Sequence, residues 1–166
     1  NPAQLVKLCE DLRKECDCIL LDCPAGIEQG FKTAIAAADT AIVVTMPEIS
    51  AVRDADKIIG ELSRADKEDI KLIVNRIRPQ MVESGDMLDM NDINDILSIE
   101  CIGQVPDDEM VVTSTNKGEP CITMEHSLAG QAYRNIVGRI CGEDIPFMEF
   151  PKEGFFQRLK RRVFGA

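Results

Sequence analysis

Apolar residues in this chain come as short unbroken runs, with stretches of helical spacing between them. Residues 18–21, 40–45, 71–75 and 101–105 are aliphatic or β-branched, and each run is closed within a few residues by Pro, Gly, Asn or Asp. Near-continuous apolar strands with that punctuation belong to a parallel sheet covered on both faces. Between the runs, Leu5, Leu8 and Leu12 set one helical face, and residues 31–38 form a small-residue helix. Residues 50–65 carry Val52, Ile58, Ile59 and Leu62 on a stripe, and residues 92–97 turn Ile93, Ile96 and Leu97 inward. Residues 128–141 place Ala132, Ile136, Val137 and Ile140 at helical spacing. Strand then helix, four times over, predicts right-handed crossovers and an α/β fold with a doubly wound, mostly parallel sheet.

In such folds the first strand-to-helix turn usually carries a glycine-rich phosphate loop. Neither G-x-x-x-x-G-K-[ST] nor G-x-G-x-x-G occurs here, and the chain opens directly on a helix. The expectation is a domain whose N-terminal strands lie upstream of Asn1. No apolar run approaches the roughly 18–20 residues that span a bilayer, and residues 1–11 lack a signal-peptide pattern, so a cytoplasmic chain is expected.

Charge is divided unevenly. Residues 152–166 carry net +4 and the remainder −14. An acidic body argues against nucleic-acid binding, because phosphate neutralisation supplies most of that affinity. The cysteines (Cys9, Cys16, Cys18, Cys23, Cys101, Cys121, Cys141) are odd in number, include no C-x-x-C and accompany a single histidine, His126. This pattern fits neither a zinc site nor a disulfide framework and predicts free, mostly buried thiols.

Ligands of open parallel sheets bind beyond the carboxyl ends of the strands. After the first run comes Asp22-Cys23-Pro24-Ala25-Gly26-Ile27-Glu28. Asp22 there can hold Mg²⁺ through water, or be a solvated turn residue. Gly26 lets a backbone N–H approach a terminal phosphate. Asn75-Arg76 follows the third run, where the Asn75 carboxamide suits an adenine edge or simply a turn. Pro106-Asp107-Asp108 follows the fourth, with Pro106 as an apolar wall for a base and the acids as caps for a following helix.

The C-terminus reads as three parts: body 1–145, linker 146–153 bracketed by Pro146 and Pro151, and amphipathic segment 154–166. On a helical wheel Phe155, Leu159, Val163 and Phe156 fall within about 100° of one another. Arg158, Lys160 and Arg161 take the opposite arc, Arg162 the border, and Phe164 lies off the stripe. This is the pattern of an interfacial helix on anionic membrane; the alternative is a helix docked on its own domain.

Asp22 to Glu28, Met46-Pro47-Glu48-Ile49-Ser50-Ala51-Val52-Arg53-Asp54, Ser84-Gly85-Asp86-Met87-Leu88, Asn116-Lys117-Gly118-Glu119-Pro120 and the Phe-bearing basic tail together resemble the MinD family. These are septum-site-determining ATPases of the deviant Walker A (ParA/MinD) class, and the resemblance runs along essentially all 166 residues. It implies a P-loop NTPase-like fold and a cell-division ATPase that binds ATP with Mg²⁺ and forms a homodimer on ATP. It also implies attachment to the inner face of the cell membrane, recruitment of the septum inhibitor MinC, and regulation by MinE or another topological factor. By matching positions, Asp22 would be the catalytic Walker B-type acid and Mg²⁺ holder, and Gly26 the phosphate sensor. Asn75 and Pro106 would line adenine, with Arg76 and Asp107 beside them. Glu28 and Glu48 would lie near the dimer interface, and Ser50, Asp54, Asp56 and Met87 on the partner-binding surface. The family's phosphate loop has no counterpart in residues 1–166, so the chain alone is expected to bind nucleotide poorly and not to hydrolyse it. A ParA-like partition ATPase and a non-enzymatic membrane-attached module remain the alternatives.

Overall fold

A computed structural model describes residues 1–24 and 26–150. The elements run α1 (Pro2–Leu12), α2 (Gln29–Ala37), β1 (Ala41–Thr45), α3 (Ile49–Arg64), β2 (Ile70–Ile77), α4 (Pro79–Ser84), α5 (Met90–Leu97), β3 (Glu100–Pro106), α6 (Glu109–Lys117), a 3₁₀ turn (Cys121–Thr123) and α7 (Leu128–Ile140).

The three strands form one parallel sheet in the order β1-β2-β3, with Val43 opposite Leu72 and Leu72 opposite Cys101. Alternation along β2 sorts its side chains between two cores. Leu72 and Val74 enter one with Val52 and Leu62 of α3, Ile93 and Leu97 of α5 and Phe31 of α2. Ile73 enters the other with Ile102, Val105 and Ala129, Ala132 and Ile136 of α7. Helices on both faces make the sheet doubly wound. Fully buried residues such as Leu62 and Ile93 each contribute about 1.5–3 kcal/mol of apolar transfer. Gly103 permits the close seating of α7, since a Cβ there would lie 2.5 Å from Ile136 Cδ1.

Helix starts follow local chemistry. Asp89 and Asp92 form a reciprocal capping box on α5. Asp108 accepts from Met110 N–H at 2.9 Å to cap α6, and Ser127 accepts from Gly130 N–H at 2.9 Å to cap α7. The same Asp108 carboxylate accepts from the Ser127 hydroxyl at 2.8 Å and Ala129 N–H at 3.1 Å, so one acid ties two helix N-termini together. Burial pushes its pKa up, but the combined hydrogen bonds from Met110, Ala129, Ser127 and Leu128 outweigh that and hold the carboxyl below its ordinary value. A depressed carboxylate stabilises the fold above its unfolded pKa, and the gain is lost as pH falls through the folded value. Asp108→Ala is therefore expected to cost about 2 kcal/mol at pH 7, one cap at each of two helices. Urea unfolding should show that difference shrinking below roughly pH 4.

Three expectations need correction. Residues 18–21 are not a strand: they run irregularly, no ladder partner lies beside them among the described residues, and Leu20 is 83% exposed. An apolar run becomes a strand only where a neighbour meets its N–H and C=O groups, so the described sheet has three strands rather than four. β1 is covered on one face only, with Val43 and Thr45 buried while Ile42 and Val44 are exposed. Of the free cysteines only Cys9, within α1, is buried; Cys16, Cys18, Cys23 and Cys141 are exposed because they lie on segments outside the helices and strands. The amphipathic segment 154–166 lies outside the described residues.

Candidate functional site

A trough of about 1620 Å³ runs between residues 16–24 and the exposed side of β1. It is larger than the roughly 300–1,000 Å³ of a small-ligand pocket. Asp22 and Gly26 line one wall; Thr45, Met46, Asn75 and Arg76, at the carboxyl ends of β1 and β2, line the other. Four of the residues singled out for nucleotide chemistry thus line the same trough, which also takes in all of β1 and several residues between Arg139 and Phe147.

Each is set by local backbone. Gly26 has φ +98°, a left-handed conformation that disfavours any side chain, with open space around it. Gly30 lets α2 start against Pro24, where a Cβ would come 2.9 Å from Pro24 Cγ. Asp22 is exposed and makes no hydrogen bond or ion pair among the described residues. Its charge, second to burial, helps raise the neighbouring Cys23 thiol pKa.

At the end of β2 the register with β3 slips between Val74 and Ile77, and Arg76 adopts φ +58°. That turn returns the Arg76 N–H to Asn75 Oδ1 at 2.9 Å, which fixes the carboxamide and leaves its NH₂ to donate. Arg76 and Arg78 both reach Asp107, at 3.6 and 2.6 Å. These pairs are half exposed, so they orient the arginines more than they stabilise the fold. Pro106 is buried and closes the β3 ladder, where the Asp107 N–H donates to Ile77 O at 2.8 Å. It is not among the residues lining the trough. The sequence treated Asp107 and Asp108 alike as caps; in the structure only Asp108 caps, while Asp107 joins the arginines.

Glu28 and Glu48 are the exposed N-cap residues of α2 and α3, neither with a side-chain cap bond. Ser50 and Asp54 share one strip of α3, whereas Asp56 falls on another. Asp54 is paired with Lys57 at 2.9 Å. Met87 is half-buried, its sulfur accepting the Arg78 N–H at 3.4 Å. Its loop is fastened to the start of α3 by Leu88 N–H on the carbonyl of buried Pro47, at 3.2 Å. A hollow the sequence did not indicate lies between α3 and α5, lined by Ile49, Arg53, Leu88, Asp92, Asp95 and Ile96. Exposed Ile49 and Ile96 flank it, and only their placement on two separate helices reveals it. No group of three or more candidate metal ligands exists among the described residues, and no described helix is long and apolar enough to cross a membrane.

No known family model matches the chain. It is similar to the septum site-determining protein MinD of Synechocystis, 48% identical over 169 residues that take in all of this chain and 64% of that protein. In sequence and in fold, the chain is similar to MinD proteins over most or all of its length. The MinD fold in a MinC:MinD cell division complex from Aquifex aeolicus superposes with a TM-score of 0.87 at 42% identity, over 91% of this chain and 63% of that one. MinD from Pyrococcus horikoshii, solved with Mg-ADP, matches with a TM-score of 0.73 at 26% identity, over 84% of this chain and 56% of that one. The chain thus spans less than two thirds of the length of these MinD relatives. The α/β fold with the parallel sheet described above superposes on these MinD structures.

Proposed function

We propose that this chain is the carboxyl-terminal portion of an ATP-dependent regulator of division-site placement. The observation that carries it is the 48% identity to a MinD protein, and the lining of one trough by Asp22, Gly26, Asn75 and Arg76 agrees with it. When Mg²⁺ is bound, it neutralises phosphate charge. Asp22 would hold that ion through water, Gly26 would bring a backbone N–H to the terminal phosphate, and Asn75 would read the base. Arg76 and Asp107 would keep Asn75 in place.

Glu28 and Glu48, at exposed helix starts on the sheet's carboxyl side, suit an interface formed when two ATP-bound copies face one another. The exposed strip of Ser50 and Asp54, with Asp56 and the Met87 loop nearby, is the surface for MinC and for MinE or another topological factor. A MinC:MinD complex among the structural relatives supports the first of these. Residues 154–166 would attach the protein peripherally to the inner face of the cell membrane, from a cytoplasmic body.

The base-reading role is open to direct test. An Asn carboxamide matched to a base edge discriminates by about 1–3 kcal/mol. In the complete gene product, Asn75→Ala is expected to reduce the preference for ATP over GTP about tenfold, read by competition for a fluorescent nucleotide. An unchanged ratio would remove Asn75 from the site.

A further inference from the structure

β2 ends on an irregularity that its neighbours have to hold. Val74 pairs with Gln104 and Ile77 with Pro106, so Asn75 and Arg76 together stand opposite Val105. Two residues against one make a β-bulge, which re-aims a side chain at the expense of ladder bonds. Here it turns Arg76 to φ +58°, a conformation that a non-glycine residue keeps only while its surroundings fix it. The Arg76 N–H is thereby delivered to Asn75 Oδ1.

Asp107, the first residue after β3, spans the bulge. Its N–H donates to Ile77 O at 2.8 Å. One carboxylate oxygen lies 3.6 Å from Arg76 Nε, and the other accepts from Arg78 Nε at 2.6 Å. Arg78 has a second attachment. It is the N-cap residue of α4, and its N–H donates to Met87 Sδ at 3.4 Å. The turn that carries Met87 is tied amide by amide. Gly85 N–H donates to Val82 O at 3.1 Å, Asp86 and Met87 N–H to Met81 O at 2.9 and 3.1 Å, and Leu88 N–H to Pro47 O at 3.2 Å. Pro47 adjoins Glu48, where α3 begins. Hydrogen bonds and ion pairs, joined by short stretches of chain, thus run from the Asn75 carboxamide to the head of α3.

We infer that Asp107 and Arg78 form a clasp that couples the Asn75 carboxamide to the Met87 turn, both acting as positioning residues. The inference rests on the base-reading role given to Asn75 above and adds its consequence. A purine that engages Asn75 steadies the bulge, the clasp and the turn at 85–88; one that does not leaves the turn looser. Ion pairs as exposed as these contribute little to overall stability, so losing them loosens the link without unfolding the domain. Coupling between two sites is reciprocal and amounts to about fivefold or more. A clasp that transmits base identity to the turn therefore also sharpens base choice.

The test uses the complete gene product with saturating Mg-ADP or Mg-GDP, since diphosphates keep the terminal phosphate and the proposed ATP dimer out of the comparison. Hydrogen exchange of amides 85–88 reads the turn, and competition for a fluorescent nucleotide reads base preference. In the native protein, exchange at 85–88 should be about fivefold slower with ADP than with GDP. Asp107→Ala and Arg78→Ala should each bring that ratio to about one. A merely structural role would instead change exchange equally with either nucleotide. Asp107→Ala should also lower the preference for ADP about fivefold. In an Asn75→Ala background it should have no further effect, as expected when one residue acts through another. Equal exchange with the two nucleotides in the native protein overturns the coupling. A ratio that survives in Arg78→Ala overturns the clasp, even if Asp107→Ala does not fold. The base reading fails separately, when Asn75→Ala leaves the ADP preference unchanged. The coupling alone fails when Asn75→Ala shifts that preference while native exchange at 85–88 ignores the base.

Discussion

Replacing Arg158, Lys160, Arg161 and Arg162 together by glutamine is expected to weaken attachment of the complete ATP-bound protein to anionic vesicles by at least about a thousandfold. These positions lie outside the described residues, so the argument is one of composition and magnitude. Each cation near an anionic surface is worth about 1 kcal/mol, and about 1.4 kcal/mol is a factor of ten. Four of them come to nearly three decades for a single tail. Phe155, Phe156, Leu159 and Val163 add at most about 1.5–3 kcal/mol each if fully buried. Against these stands the cost of ordering about eleven residues as a helix, which would be too short to be stable alone in water. One tail would therefore bind marginally, and two held together in the proposed dimer would gain from effective concentration. The check is sedimentation with phosphatidylglycerol and with zwitterionic vesicles. A loss confined to the anionic lipid supports the electrostatic part, while an equal loss on both would place the attachment elsewhere.

Asp22→Asn should slow ATP hydrolysis by the complete protein about a hundredfold and weaken ATP binding only when Mg²⁺ is present. Metal-assisted charge stabilisation is worth several kcal/mol, and about 3 kcal/mol corresponds to that factor. The structural ground is specific: Asp22 lies on the trough wall with no cation or hydrogen-bond donor of its own among the described residues. Asparagine keeps its size and removes its charge. Nucleotide titrations with Mg²⁺ and with EDTA separate the outcomes. An equal loss in both would mean that Asp22 supports the loop rather than the ion.

Which parts of the molecule its sequence discloses depends on the range over which each cause acts. Residues 71–75 and 101–105 read as strands, and are, because runs such as Leu72-Ile73-Val74 can be buried only on both faces. Residues 18–21 carry the same apolar signal and are no strand, because pairing depends on a neighbour that composition does not report. The cap at Asp108 was legible from its place before a helix; its second role at α7, nineteen residues on, was not. Asn75 was legible as a strand-end amide. What fixes it, a left-handed Arg76 at a register slip, depends on β3 and leaves no local mark. Arg78 reads as an ordinary cation after a strand, because its acceptor, Asp107, lies twenty-nine residues away.

On the function proposed above, ATP controls attachment of the complete protein to membrane. Cosedimentation of the complete gene product with phosphatidylglycerol vesicles, measured with ATP and Mg²⁺, with ADP and Mg²⁺, and without nucleotide, tests it most directly. Binding with ATP that is lost in the other two conditions is the expected result. Equal binding in all three, or no binding even at saturating ATP, would contradict it.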